Sequence, residues 1–356
     1  MKKNLTTIAL LALIAGACTN PLDYQAGQPE SIIIMNASLR TDETVHTVWL
    51  CQGGITELSG INDAELTCYI NDEFAAKAHL ALTEDEKDYQ DDYGYYYFAR
   101  PYEFSAEIKP GDKVRLDASW YGLHASATTY APKAPMRVAL DTVRTERSVY
   151  SDPDAPMPAL TCRMRLEDRP GEENWYRICV TFDAGMPAPE PGLEGEMVRW
   201  QGVMPFVYYK DKILNDGFQT PDDGEFLNRV GSPIYSQYCS FSDKAFAGTS
   251  AKVEFDIFEG CMTRRWLTMD WTDEHPKSPT ELRLKIDLLS LSREAYYQLN
   301  SLTLSQTSGL DWNLLYEPVS FPNNVEGGLG LVTVASVSGV TLDPVPLIED
   351  PEETGN

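Results

Sequence analysis

The chain has 356 residues, with 54 acidic and 29 basic side chains and a formal net charge of −25. A surface this acidic repels nucleic acid and anionic lipid headgroups, which excludes functions built on basic patches. The length suffices for about two domains, each able to bury a sizeable core.

The first predicted element is a leader. Lys2 and Lys3 make a basic start, Leu5 to Ile14 form an apolar run, and Ala15-Gly16-Ala17 are small residues followed by Cys18. This pattern predicts a secretory signal over residues 1–17 and reads as a bacterial lipobox, with cleavage before Cys18 and lipid on its sulfur. An ordinary signal peptide cut after Ala17 fits the same residues. The apolar run is about half of what a transmembrane helix needs, so the expected anchor is acyl chains, palmitate among them. Residues 18–30 carry Pro, Gly, Asn and Gln and are expected to tether the fold to the lipid.

Strand signals come next. Ser31 to Met35 is a short β-branched run, Thr44 to Leu50 is rich in strand formers, and Glu65 to Ile70 alternates polar with apolar residues. Tyr95 to Phe98 and Val114 to Trp120 continue the pattern, with turn chemistry at Lys109-Pro110-Gly111-Asp112. Short strands at regular spacing predict an Ig-like β-sandwich over residues 31–132. Prolines 132, 135, 153, 156 and 158 mark residues 133–159 as a Pro-rich junction.

A second β-rich domain is expected over 160–342. Its strands are predicted at Leu160 to Leu166, Trp175 to Phe182, Lys252 to Phe258, Glu281 to Leu288 and Leu331 to Val337, with a loop at 183–196. One amphipathic helix is predicted near 292–306. Ser292 caps it, Glu294 sits in its first turn, and Ala295, Tyr296, Leu299, Leu302 and Thr303 make an apolar face. Residues 343–356 form an acidic, Pro-containing tail. The fold class is therefore mainly β, a sandwich followed by a β-rich domain with one helix.

With Cys18 used for lipid, six cysteines remain: Cys51, Cys68, Cys162, Cys179, Cys239 and Cys261. An even number in an exported chain allows disulfides, most simply between neighbours in sequence. The alternative is that some are buried thiols acting as small hydrophobes. No Cys-x-x-Cys occurs, and there are only four histidines, so no zinc site is indicated.

The acidic run from Glu84 to Gly94 offers a calcium reading through Asp88, Asp91 and Asp92, but its register does not fit an EF-hand, and charge runs are commonly solvated hairpin tips. Aromatic residues in long loops, Tyr89 and Tyr93 and then Trp200, Tyr208 and Tyr209, are the candidate ligand or partner contacts. The long stretches 84–94 and 183–228 that hold them are the candidate functional loops. His46 and His124 lie in predicted strands, where packing explains them. No nucleophile elbow, no His-Glu-x-x-His and no phosphate loop after a strand is found. Val325 to Gly330 is glycine-rich, but it precedes a strand and reads as a tight turn needing positive φ. No catalytic residue and no cofactor is assigned.

Three stretches carry a family resemblance. They are Tyr95 to Pro132 around the Lys109–Asp112 turn, Asp168-Arg169-Pro170-Gly171-Glu172-Glu173-Asn174-Trp175-Tyr176-Arg177, and Leu288 to Tyr297 running on to Pro322-Asn323-Asn324-Val325-Glu326-Gly327-Gly328-Leu329-Gly330. With the lipobox, these resemble the Bacteroidetes lipoproteins grouped as domain of unknown function 4249, commonly encoded beside a TonB-dependent outer-membrane receptor. The resemblance implies an outer-membrane lipoprotein, surface-exposed, that partners such a receptor in nutrient capture. It brings no catalytic residues. After Cys18 the chain reads Thr-Asn-Pro-Leu-Asp, with no acidic cluster of the kind that tags surface export. The expected function is a lipid-anchored accessory or ligand-binding protein, not an enzyme. The alternative is a structural or adhesive surface lipoprotein with no transporter partner. A hydrolase with unrecognised acids ranks last.

Overall fold

A computed structural model gives the fold and describes residues 31–54, 58–81, 99–149, 151, 154, 156–187, 197–208, 210–216, 239–263, 267, 281–308 and 320–342. The predicted leader, tether and tail, and the predicted strand at 95–98, lie outside these residues. The first strands are β1 (Ile32–Arg40), β2 (Val45–Gly53), β3 (Ser59–Gly60), β4 (Glu65–Ile70), β5 (Glu73–Lys77), β6 (His79–Leu80), β7 (Arg100–Ser105), β8 (Lys113–Trp120) and β9 (Leu123–Tyr130). They are followed by β10 (Arg137–Thr145), β11 (Ala159–Glu167), β12 (Trp175–Pro187), β13 (Met197–Val203), β14 (Ser240–Ser242), β15 (Ser250–Phe258) and β16 (Glu281–Leu291). Helix α1 (Arg293–Ser308) precedes β17 (Val325–Glu326), β18 (Gly328–Leu329) and β19 (Val332–Leu342). The protein is mainly β, as its alternating patterns predict.

Alternation decides which side chains enter each core. In the N-terminal lobe, Ile33, Met35, Ala37 and Leu39 of β1, with Val48 and Leu50 of β2, face Leu66 and Cys68 of β4, Val114, Leu116 and Ala118 of β8, and Ala125 and Ala127 of β9. The two layers are the β1-β2-β7-β6 part of a large sheet and a separate five-stranded sheet in the order β17-β9-β8-β4-β5. Burying each large apolar side chain here is worth about 1.5–3 kcal/mol. Tyr102 is also buried; its hydroxyl donates to the Ile61 carbonyl and accepts from the Ala64 amide, so no polar atom is stranded.

The second lobe stacks the β13-β12-β16 part of the large sheet on a three-stranded sheet, β10-β11-β15. Even-numbered residues of β12 and β16, from Tyr176 to Ala184 and from Leu282 to Leu288, enter this core. Odd-numbered Cys179, Leu289 and Leu291 point the other way and pack with Ala295, Tyr296 and Leu299 of α1. The helix is capped as predicted, the Ala295 amide donating to the Ser292 hydroxyl at 3.2 Å.

Two readings of the second half are corrected. The junction 133–159 contains β10, which pairs along nine residues with β11. Its prolines flank the strand, and none interrupts 137–145. The loop predicted from Asp183 starts later, because Asp183 to Pro187 continue β12 and pair with β13.

The cores cross the boundary drawn along the chain. Val325, Val332 and Val334 belong to the N-terminal core. The first half of β19 runs parallel to β1, with Ala37 opposite Val332 and Arg40 opposite Ala335, and its second half runs antiparallel to β16. One strand therefore joins both lobes in a single sheet. The approach to it is a sheet-to-sheet corner: β17 pairs with β9, Gly327 turns at φ +73°, and β18 pairs with β1. Gly330 then adopts φ +122°, and any Cβ there would strike the Met35 carbonyl oxygen. Asn324 locks the corner by bonding both the amide and the carbonyl of Val332.

The glycines of this corner and of the open Lys109–Asp112 turn should respond differently. Gly330→Ala is expected to destabilise by about 3 kcal/mol or more, from backbone strain plus the clash. Gly111→Ala, at φ +95° with open space around it, should cost about 1 kcal/mol. Denaturant midpoints of the two variants check the contrast.

Candidate functional site

The outward face of the five-stranded sheet forms an open cavity of about 510 Å³. Alternation places polar side chains on it, and register arranges them in rows. Glu65, Ser119 and His124 make one row across β4, β8 and β9. Thr67, Asp117, Ser126 and Glu326 make the next, extending onto β17. Tyr69, Arg115 and Thr128 make a third.

The face is bonded within and between its rows. Arg115 pairs with Asp117 at 2.5 Å and lies over the Tyr69 ring at 4.1 Å. Ser126 donates to the other Asp117 oxygen at 2.7 Å, and Lys77 pairs with Glu65 at 3.2 Å. Ser119 and His124 bond at 2.9 Å through Nδ1. A nucleophilic serine needs its histidine oriented by a third group. Among the described residues no carboxylate is hydrogen-bonded to the other His124 nitrogen. What the face can do chemically is hydrogen-bond: it offers hydroxyls, carboxylate oxygens and an imidazole on a rigid support. An aromatic ring flanks it, with the exposed Phe74 edge-on to Tyr69.

Of the aromatic contacts read from the sequence, Tyr89, Tyr93 and Tyr209 lie outside the described residues, as do Cys18 and the calcium candidates Asp88, Asp91 and Asp92. Trp200 and Tyr208 are described and are not free loop rings. Both are half-buried against the second core, Trp200 on β13 opposite Ala184 and Tyr208 beside Phe206 with ring centroids 5.6 Å apart. The sequence reading missed the sheet face. Its signal was the polar alternation Glu65-x-Thr67-x-Tyr69, Arg115-x-Asp117-x-Ser119 and His124-x-Ser126-x-Thr128, which becomes a surface only once the register is known.

The disulfide candidates are also corrected: Cys51, Cys68, Cys162, Cys179, Cys239 and Cys261 are free thiols, all buried. Cys68 faces the N-terminal core while Cys51 alternates away from it. Cys162 and Cys179 pack in different clusters on opposite faces of the β12 sheet. Burial pushes the Cys68 thiol up to about 12, and it raises Cys51, Cys162 and Cys239 as well. These groups behave as hydrophobes, with little reactive thiolate. Among the described residues no group of three or more His, Cys, Asp or Glu is placed to hold a metal ion, and no helix is long and apolar enough to cross a membrane.

His46 is buried rather than catalytic. Its Nε2 bonds the Ala106 carbonyl at 3.0 Å, its ring packs on Phe104, and Nδ1 has no partner among the described residues. Burial lowers its pKa below 6.5, against the opposing effects of the Ala106 carbonyl and Glu43. For Asp42, burial alone would raise the pKa, but hydrogen bonds and charge from Arg40 and Lys285 hold it below 3.8. In both cases the unfolded chain takes the proton more readily, so acid favours unfolding. Stability should begin to fall as the pH drops through 6.5, from His46, and fall again below 3.8, from Asp42. Melting temperature measured against pH checks this, and His46→Gln should remove the first decline and leave the second.

The motif Asp168–Arg177 proves to be a latch. Asp168 accepts from the Tyr176 hydroxyl at 2.6 Å and the Gly248 amide at 2.7 Å. Arg169 donates to the Ala134 and Lys133 carbonyls and to Asn174, whose amide nitrogens bond Asp243. It clamps the junction onto the second lobe. No curated protein matches the chain. The family described as "Domain of unknown function (DUF4249)" matches residues 19–339, which includes the latch, the helix and the glycine corner, and the chain belongs to that family.

Proposed function

We propose that the protein is a lipid-anchored outer-membrane protein, held through Cys18 and facing the cell surface, that binds a ligand and works with a TonB-dependent transporter in nutrient uptake. The observation that carries this reading is the succession of a lipobox ending at Cys18 and a family match that begins at residue 19 and runs to 339. The whole fold would hang from one lipidated residue. A net charge of −25 repels anionic lipid headgroups, so acyl chains would do the tethering. The open polar face of the five-stranded sheet supplies a ligand surface that a rigid scaffold pre-organises. The reading assigns the chain no catalytic step.

The test is made in the native host. Cys18→Ser should release the protein from sedimented envelopes. The wild-type protein, solubilised gently, should bring down an outer-membrane β-barrel. A Cys18→Ser protein that still sediments with the envelope, or a wild-type preparation with no barrel, would overturn the proposal.

A further inference from the structure

We propose that the open face of the β17-β9-β8-β4-β5 sheet binds a neutral oligosaccharide, an assignment that rests on the ligand-binding reading above and names its ligand class. The argument is one of charge and of spare hydrogen-bonding capacity. On a chain of net charge −25, the cations of this face are matched by carboxylates. Arg115 is held by Asp117 and by the Tyr69 ring, and Lys77 by Glu65. An anion meets no unpaired cation among the described residues of the face. A metal ion meets no group of three ligands.

Topology keeps a peptide that adds as a strand off this face. β4 and β8 pair on both sides, so an added strand would lie beside β5 or β9 at the edge of the sheet and not across its face. An apolar ligand would strand hydroxyls and carboxylates against it.

A ligand that both donates and accepts many hydrogen bonds and carries no charge fits these groups. The second oxygen atom of Glu65, the Glu326 carboxylate and the hydroxyls of Thr67, Ser126 and Thr128 suit sugar hydroxyls, since bonds to charged acceptors are the stronger ones. The exposed ring of Phe74, edge-on to Tyr69 at the side of the third row, offers an apolar surface to the C–H face of a sugar ring. A cavity of about 510 Å³ holds a few sugar units and is open for a longer chain to cross.

The experiment presents the full-length protein in detergent to an immobilised panel of neutral oligosaccharides and of sulfated or uronate-bearing ones. Binding to neutral members is expected, weakened at least ten-fold by Asp117→Asn and by Glu326→Gln. Asp141→Asn, on β10 of the other lobe, should leave it unchanged. Glu326 is exposed, so its variant should keep the wild-type melting temperature, and lost binding then reports the site. Binding confined to charged glycans, binding indifferent to both variants, or no binding at all overturns the assignment. If no oligosaccharide binds while the β-barrel still co-purifies, only the ligand class has failed. If the barrel is also absent, the functional reading has failed with it.

Discussion

The architecture depends on the placement of one strand at the far end of the chain. β19 serves all three apolar clusters: Val332 and Val334 fill the N-terminal core, Ala335 and Val337 pack with the helix, and Leu342 rests on the second core. Its parallel pairing with β1 brings together residues almost the whole chain apart. Such a contact costs loop-closure entropy before it returns any stability, so it forms only where several cores gain at once. The corner before it explains the glycines. The chain must leave one sheet of the sandwich at Glu326 and enter the other at Gly328, with backbone passing close to backbone on the way.

Charge reinforces the seam. Arg40, at the end of β1, bonds the buried Asp287 carboxylate of β16 at 2.6 Å, and Lys285 bridges Asp287 and Asp42. Two cations and three carboxylates, Glu43 included, thus meet where the lobes join. A pair this deeply placed adds less to net stability than to geometry, because desolvation offsets much of its attraction. Together with the Asp168–Asn174 latch, it fixes how one lobe sits against the other. The sheet face with the candidate site lies in the lobe that β17 and β18 complete, so the far end of the chain also builds that site: Glu326 is one of its walls.

Local chemistry was legible from the residues alone. Alternation at Glu65–Ile70 marks β4 to the residue, Ser292 caps the helix, and Val325–Gly330 reads as a positive-φ turn. Long-range consequences were not legible. Nothing within residues 31–132 says that their core needs Val332 and Val334, because a strand's partner is set by packing and not by its own pattern. The prolines on either side of strand β10 hide it, and Trp200 reads as a loop aromatic because the strand carrying it lies between turn-rich segments. For the cysteines the spacing leaves both pairing and burial as thiols open, because spacing along a chain does not say which face of a sheet a side chain takes. The sheet face was visible only as scattered polar alternation, since a site spread over four strands has no local motif.

The shared strand can be tested by dissecting the chain. Residues 19–132, expressed alone, contain every strand of the sandwich except β17, β18 and the first half of β19. The account predicts that this fragment shows no cooperative denaturant transition, and that a peptide spanning residues 320–342 restores one. A fragment that unfolds cooperatively by itself, with no response to the peptide, would contradict the dependence of the N-terminal lobe on the end of the chain.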